Sequence, residues 1–271
     1  MLEITTLPTR ELDRLALALR TAHERRTPIA PLTEVLPDLS VADAYAIAQR
    51  NVIARVAAGA TIVGRKIGLT SPAVQVQLGV DLPDYGALLD VMEIVDGSTV
   101  DAGAYIAPRI ELELAFELAE ALPSAGVTVD DVRRATARVL PALELVDSRI
   151  RDWRIRLADT VADAASSAAF VLGTEGRPLN EIDPAHVAGE LYRDDELVET
   201  GHTSAVLGDP CVSVAWLANA LGALGENLQA GQIILSGACT RMVDVHAGHH
   251  FRGVLHGLGE VSVTFGGTAL R

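Results

Sequence analysis

The sequence predicts an α+β chain, with a helical N-terminal segment over residues 1–60 and a mixed-β body over residues 61–271. Three observations carry this. Leu12, Leu15, Ala16 and Leu19 recur at helical spacing near the start. From Ile62 the texture changes to short β-like runs punctuated by Gly, Pro and Asp. Only two helical patterns interrupt those runs, in no regular βαβ rhythm, which points to an α+β or mostly-β sheet fold.

Thr9 opens the first helix. Pro28, Pro31 and Pro37 mark the loop behind it, because proline stops helices and fixes turns. Ser40 and Asp43 form a capping-box-like start to a second helix carrying Ala44, Tyr45, Ala48 and Val52. The predicted strands are TIVGRKIGL, GSTVDAGAYIAP, RIELELAFEL, ALELVDS, AAFVLG, QIILSG and EVSVTF. One interrupting helix is predicted from near Thr128 to just before Pro141. The other is VSVAWLANALGAL, closed by Gly225.

A chain of 271 residues, 49% hydrophobic and 21% charged, can bury a full core. Its formal net charge of −14 argues against a nucleic-acid binder, which needs a basic face for phosphates. An anionic substrate would then need a metal ion or a local lysine to reverse the field in its site. Cys211 and Cys239 are too few and too isolated for a disulfide framework or a CxxC metal site. No signal-peptide core opens the chain and no uncharged run reaches membrane-spanning length, so a soluble cytoplasmic protein without membrane partners is expected.

In Arg109-Ile110-Glu111-Leu112-Glu113-Leu114, alternation sets Glu111 and Glu113 side by side, opposite the apolar residues. Taken alone, this pattern reads as the solvated outer face of a strand. Glu144, between Leu143 and Leu145, has the same phase. If the three met, they would form a hard-oxygen cluster needing a cation such as Mg²⁺ or Mn²⁺. Lys66, set among Gly64, Ile67 and Gly68, is either a surface lysine or a cation beside an enolising substrate. Asp81 and Asp84 sit in a stretch that turn chemistry alone explains. The seven histidines show no HExxH spacing, and His249 and His250 are expected in a turn after Gly248. Nucleotide-binding glycine motifs are absent.

Taken in order, KIGLTSPAVQVQLGVDLPDYG, PRIELELAFEL, PALELVDSRIRDW, DTVADAASSAAFVLG, AVLGDP, VAWLANAL, IILSG and GLGEVSVTF cover nearly the whole chain. This ordered set resembles the 2-hydroxypentadienoate (2-oxopent-4-enoate) hydratases and 4-oxalocrotonate decarboxylases of the fumarylacetoacetate hydrolase superfamily. The resemblance implies a mixed β-roll or sandwich behind a helical N-terminal part, assembled as a homo-oligomer. It further implies Glu111, Glu113 and Glu144 as ligands of Mg²⁺ or Mn²⁺, Lys66 and Asp84 as the catalytic pair, and Ser166 and Ser236 lining the pocket for a small 2-oxo or 2-hydroxydienoic acid. Where the family reads Asp-Asn-Ala-Ser, this chain has Asp163-Ala164-Ala165-Ser166, so an amide is missing near the expected pocket. The run Ser148 to Trp153 (SRIRDW) looks more like the hydratases, with decarboxylation the alternative. A C–C bond hydrolase ranks third, since no His lies between Lys66 and Glu111 to activate water. A catalytically lapsed subunit is disfavoured by retention of Lys66, Asp84 and all three Glu.

Overall fold

The computed structural model describes residues 5–71, 75 and 82–267, so Gly79, Val80 and Asp81 of the predicted turn lie outside the described residues. Three helices come first: α1 (Thr9–Arg25), α2 (Leu32–Val35) and α3 (Val41–Ala57). The strands that follow are β1 (Ile62–Gly68), β2 (Asp84–Leu89), β3 (Glu93–Ile94), β4 (Thr99–Asp101), β5 (Arg109–Leu118), β6 (Thr136–Val146) and β7 (Ser167–Leu172). Beyond them lie β8 (Ala188–Arg193), β9 (Glu196–His202), β10 (Ile233–Ala238), β11 (Val243–Asp244), β12 (His250–Leu255) and β13 (Gly259–Gly266). Asp84 opens β2 and is not part of a turn.

The helical segment is stapled by Asp43. Its carboxylate accepts from the Thr6 and Leu7 backbone N–H groups and from the Thr6 and Ser40 hydroxyls, while Ser40 Oγ accepts from Asp43 N at 3.0 Å. The inner faces of α1 and α3 pack on Ile150, Ala158, Val161 and Ala162, which come from the far side of β6. The N-terminal helices are therefore cemented to the body through residues about one hundred positions downstream.

The larger sheet runs β2-β1-β10-β5-β6-β7-β3, with β11 also paired to β5. The smaller runs β4-β13-β12-β8-β9. Both mix parallel and antiparallel neighbours. Alternation along β5 and β6 explains the layering. Leu112, Leu114, Leu143 and Leu145 face one way and meet Phe251, Val261, Val263 and Phe265 of the smaller sheet. The opposite face of the larger sheet curls inward. Leu88 and Leu89 of β2 and Phe170 of β7, from opposite ends of the strand order, join Ala115, Leu140, Ala142 and Leu235 in one cluster. The result is a roll plugged at one end by apolar side chains.

Three sequence expectations are corrected here. The helix predicted from Thr128 to near Pro141 spans only Val129–Ala135, capped by reciprocal Thr128–Asp131 hydrogen bonds. Residues from Thr136 onward, including Pro141, instead pair with β5, where Arg138 Nε meets Glu117 Oε2 at 2.6 Å. His249 follows the turn as expected, but His250 is the first residue of β12. Only Thr99–Asp101 of the predicted GSTVDAGAYIAP strand pairs with a neighbour.

Thr203–Gly222 is apolar and long enough by composition to cross a membrane. It breaks at Gly208-Asp209, however, and the continuous helix is the 13 residues Pro210–Gly222. At 1.5 Å per residue that is about 20 Å, short of a hydrocarbon core of about 30 Å. Its Val214, Leu217, Ala218 and Leu221 belong to the central core.

Candidate active site

The charged residues lie on the inner face of the roll, next to that apolar cluster along β5 and β6. On β5, Glu111, Glu113 and Ala115 share the inner face by alternation. Glu111 stands directly opposite Glu144 of β6, and Glu113 opposite Ala142. Like charges in directly opposed sheet positions repel, and here one oxygen from each of Glu111, Glu113 and Glu144 lies within 4.8 Å of the others. Glu113 and Glu144 are fully buried, so the solvated-strand reading of these glutamates is overturned for both.

Lys66 and Asp84 enter from the neighbouring strands. Lys66 pairs with Gly86 and Gly68 with Asp84, which sets both side chains on the same inner face. Lys66, 3% exposed, is no surface lysine, and its Nζ lies 3.3 Å from Glu144 Oε1. A Cβ built on Gly68 would sit 2.3 Å from Asp84 Oδ1 and 3.3 Å from Lys66 Nζ. Gly68 is thus the floor on which these two groups rest.

Four carboxylates face one ammonium. Burial raises the pKa of Glu111 to about 8, helped by the charge on Glu144. Burial and its two glutamate neighbours drive Glu113 well above its ordinary value. Burial likewise raises Glu144 and Asp84, with Lys66 pulling each back down. Burial disfavours the charged form of Lys66, but Glu144, Asp84, Glu111 and Glu113 together outweigh it and raise its pKa. Desolvating a carboxylate costs several kcal/mol even after relaxation, so one lysine cannot hold this set ionised. The oxygens Glu113 Oε1, Glu144 Oε2 and Asp84 Oδ1 have no hydrogen-bond partner, and Glu144 Oε1 has only the Lys66 ammonium at 3.3 Å. An all-oxygen set of orphaned carboxylates fits a hard divalent cation better than Zn²⁺.

Sequence reasoning missed the device that aims Glu113. The register of β10 against β5 breaks between Leu235 and Ala238, and within this bulge Gly237, at φ 120°, donates its N–H to Glu113 Oε2 at 2.8 Å. The signal was available: a glycine inside a strand-like run marks a bulge.

The two serines differ. Ser166 Oγ is buried without a partner, on a turn whose three residues Ala164, Ala165 and Ser166 all have φ near 55°. Left-handed backbone at three successive non-glycine residues is strained and persists only where surroundings impose it. Arg149 does so: its Nε donates to Asp163 Oδ1 at 2.5 Å, and its other nitrogens donate to the carbonyls of Asp147, Asp163 and Ser167. Ser236 Oγ, by contrast, donates to the Leu114 carbonyl at 2.8 Å and keeps only acceptor capacity.

A curled sheet enclosing buried, cation-seeking carboxylates beside a lysine defines a class: divalent-metal enzymes of the fumarylacetoacetate hydrolase fold. A fumarylacetoacetate hydrolase family protein from Yersinia pestis superposes with a TM-score of 0.57 at 17% identity, over 75% of this chain and 93% of that one, a likeness of fold alone. No protein-family model matches the chain. A 2-keto-4-pentenoate hydratase of Paraburkholderia phymatum is 45% identical over 254 residues, 94% of this chain and 97% of the relative. The chain belongs to the 2-keto-4-pentenoate hydratase family. A solved structure of 4-oxalocrotonate decarboxylase from Pseudomonas putida G7, complexed with magnesium and adipate, superposes with a TM-score of 0.94 at 36% identity, covering 97% of this chain and all of that one.

Proposed function

We propose that this protein is a divalent-metal-dependent hydro-lyase that adds water to a 2-hydroxy-2,4-dienoate, the enol of a 2-oxo-4-enoate, to give a 4-hydroxy-2-oxo acid. The observation that carries this reading is the cluster of Glu111, Glu113 and Glu144, with buried oxygens lacking partners, in a chain 45% identical to a hydratase. These three residues would hold Mg²⁺ or Mn²⁺, which when bound supplies Lewis-acid polarisation of the substrate's 2-oxo and carboxylate oxygens.

The chain's own residues do the rest. Asp84, with Oδ1 free of partners, moves protons: one to the terminal carbon of the dienol as the 2-hydroxyl proton leaves, giving the conjugated 2-oxo-3-enoate, then one from the water that adds at C4, which is returned to C3 of the resulting enolate. Lys66 stands beside the developing enolate and stabilises its charge. Ser166 offers a free hydroxyl to the substrate, and Ser236 an acceptor. Catalysis belongs to residues 61–271, with residues 1–60 as a helical cover.

Decarboxylation of a 2-oxo-enedioate is the second reading, favoured by the 0.94 superposition on the decarboxylase. A hydratase must admit water beside the substrate, whereas a decarboxylase must seat a second carboxylate. Supplying 2-hydroxypenta-2,4-dienoate and 2-oxohex-3-enedioate separately with Mg²⁺ separates them. Conversion of the monoacid with ¹⁸O from labelled water at the 4-hydroxyl is expected. Carbon dioxide release from the diacid without hydration of the monoacid would establish the second reading.

The protein works as a homo-oligomer in the cytoplasm. Exposed Ile53 and Val56 on α3, and Val91 and Val95 around β3, support the first, being apolar surface suited to burial against another copy. Free, buried Cys211 and Cys239 support a reducing compartment.

A further inference from the structure

We propose that a crevice between α1, α3 and the turn preceding β7 is a second binding site, for a small organic carboxylate with a short apolar tail. The cavity measures about 80 Å³. At about 10–15 Å³ of such volume per water, it holds a ligand of roughly five to eight non-hydrogen atoms.

The lining sorts into two parts. Leu19 of α1, Val52 of α3, Leu89 of β2 and Met92 form an apolar wall suited to a hydrocarbon tail. The polar part is Arg20, Asn51, Arg55, Arg149, Asp163 and Ser167, with Arg20 donating to Asn51 Oδ1 at 3.2 Å. Ser167 lines the cavity, is 7% exposed, and carries a buried Oγ with no hydrogen-bond partner. Among the described residues, Arg55 has no carboxylate within ion-pair distance; the acid acting on it, Asp90, is engaged by the Thr61 and Val91 backbone N–H groups. Asp163, the carboxylate lining the cavity, is neutralised by Arg149. The local field is therefore positive in a chain of net charge −14. His23 at the rim registers that field: partial desolvation, then Arg149 and Arg55, lower its pKa.

The crevice is separate from the catalytic roll but shares a wall with it. Ala164 lines the crevice, while its carbonyl would lie 2.6 Å from a Cβ on Gly86, the strand partner of Lys66. A ligand there presses on the turn that carries Ser166.

The test is calorimetric titration of the Mg²⁺-loaded protein with n-butyrate, a six-heavy-atom acid lacking the 2-oxo group, and with 1-butanol as its neutral counterpart. Saturable butyrate binding is expected that persists in Lys66→Met protein, weakens about 10-fold in Arg55→Gln, and weakens measurably in Ser167→Ala, which removes only the hydroxyl. The proposal is overturned by equal binding of 1-butanol, by no saturation up to about 50 mM, or by loss in Lys66→Met with Arg55→Gln unchanged.

Discussion

At the scale of single residues, the site depends on a lysine that is buried and a glycine that makes room for it. Lys66→Met keeps the apolar stem and deletes the charge, so kcat/KM should fall by about 100-fold or more if an enolate forms beside Nζ. Wild-type kinetics for that variant would remove Lys66 from the mechanism. Gly68→Ala asks a different question, since the new methyl would meet Asp84 Oδ1 at 2.3 Å and must displace it. Misplacing a catalytic group by about 1 Å costs about 100-fold. The expected result is a kcat loss of that order with cation affinity nearly intact; unchanged kcat would mean Asp84 has no part in proton transfer. Among these residues, the glutamates were only half legible in the sequence. Alternation gave Glu111, Glu113 and Glu144 their common phase, but a phase does not say whether the face is wet or lies inside a roll. Only the curl of the sheet, closed by Phe170 against Leu88 and Leu89, decides that.

At the scale of elements, Asp43 joins the leading residues to α3, and its contribution should titrate. Burial raises its pKa, but hydrogen bonds from Leu7, Ser40 and Thr6 outweigh this and hold it below 3.8. A lowered folded pKa means stability that is present above the unfolded value and lost as pH falls through the folded one. Asp43→Asn should therefore cost about 1–2 kcal/mol at pH 7, a Tm drop of roughly 2–6 °C. The gap between variant and wild type should close well below pH 3.8, and a gap of constant size across pH would contradict this.

Elements also mark where the sequence misled. The β8–β9 hairpin turns on Asp194 and Asp195, at φ 51° and 64°, where Asn-Gly would have announced the turn. The pattern before β6 reads as a longer helix than the seven residues Val129–Ala135 because Arg133 to Leu140 contains no Gly or Pro to stop it. Cross-strand pairing with β5 overrides that local pattern.

At the scale of the molecule, the two-sheet packing and the curl fix one apolar core between the sheets and leave the inner face of the roll free for polar chemistry. The exposed apolar residues on α3 and around β3 belong to this scale as well. Sedimentation velocity should show a species several times the 28.6 kDa of one chain, and a monomer at micromolar concentration would contradict the oligomer.

The central claim is that the buried glutamates of the roll exist to hold one divalent cation. Titrating the metal-free protein with Mn²⁺ and following free Mn²⁺ by electron paramagnetic resonance tests it most directly. One tight site per chain is predicted, weakened at least 10-fold in Glu113→Gln, whose side chain keeps its size and loses its charge. Wild-type affinity in Glu113→Gln, or no stoichiometric site in the wild-type protein, would contradict it.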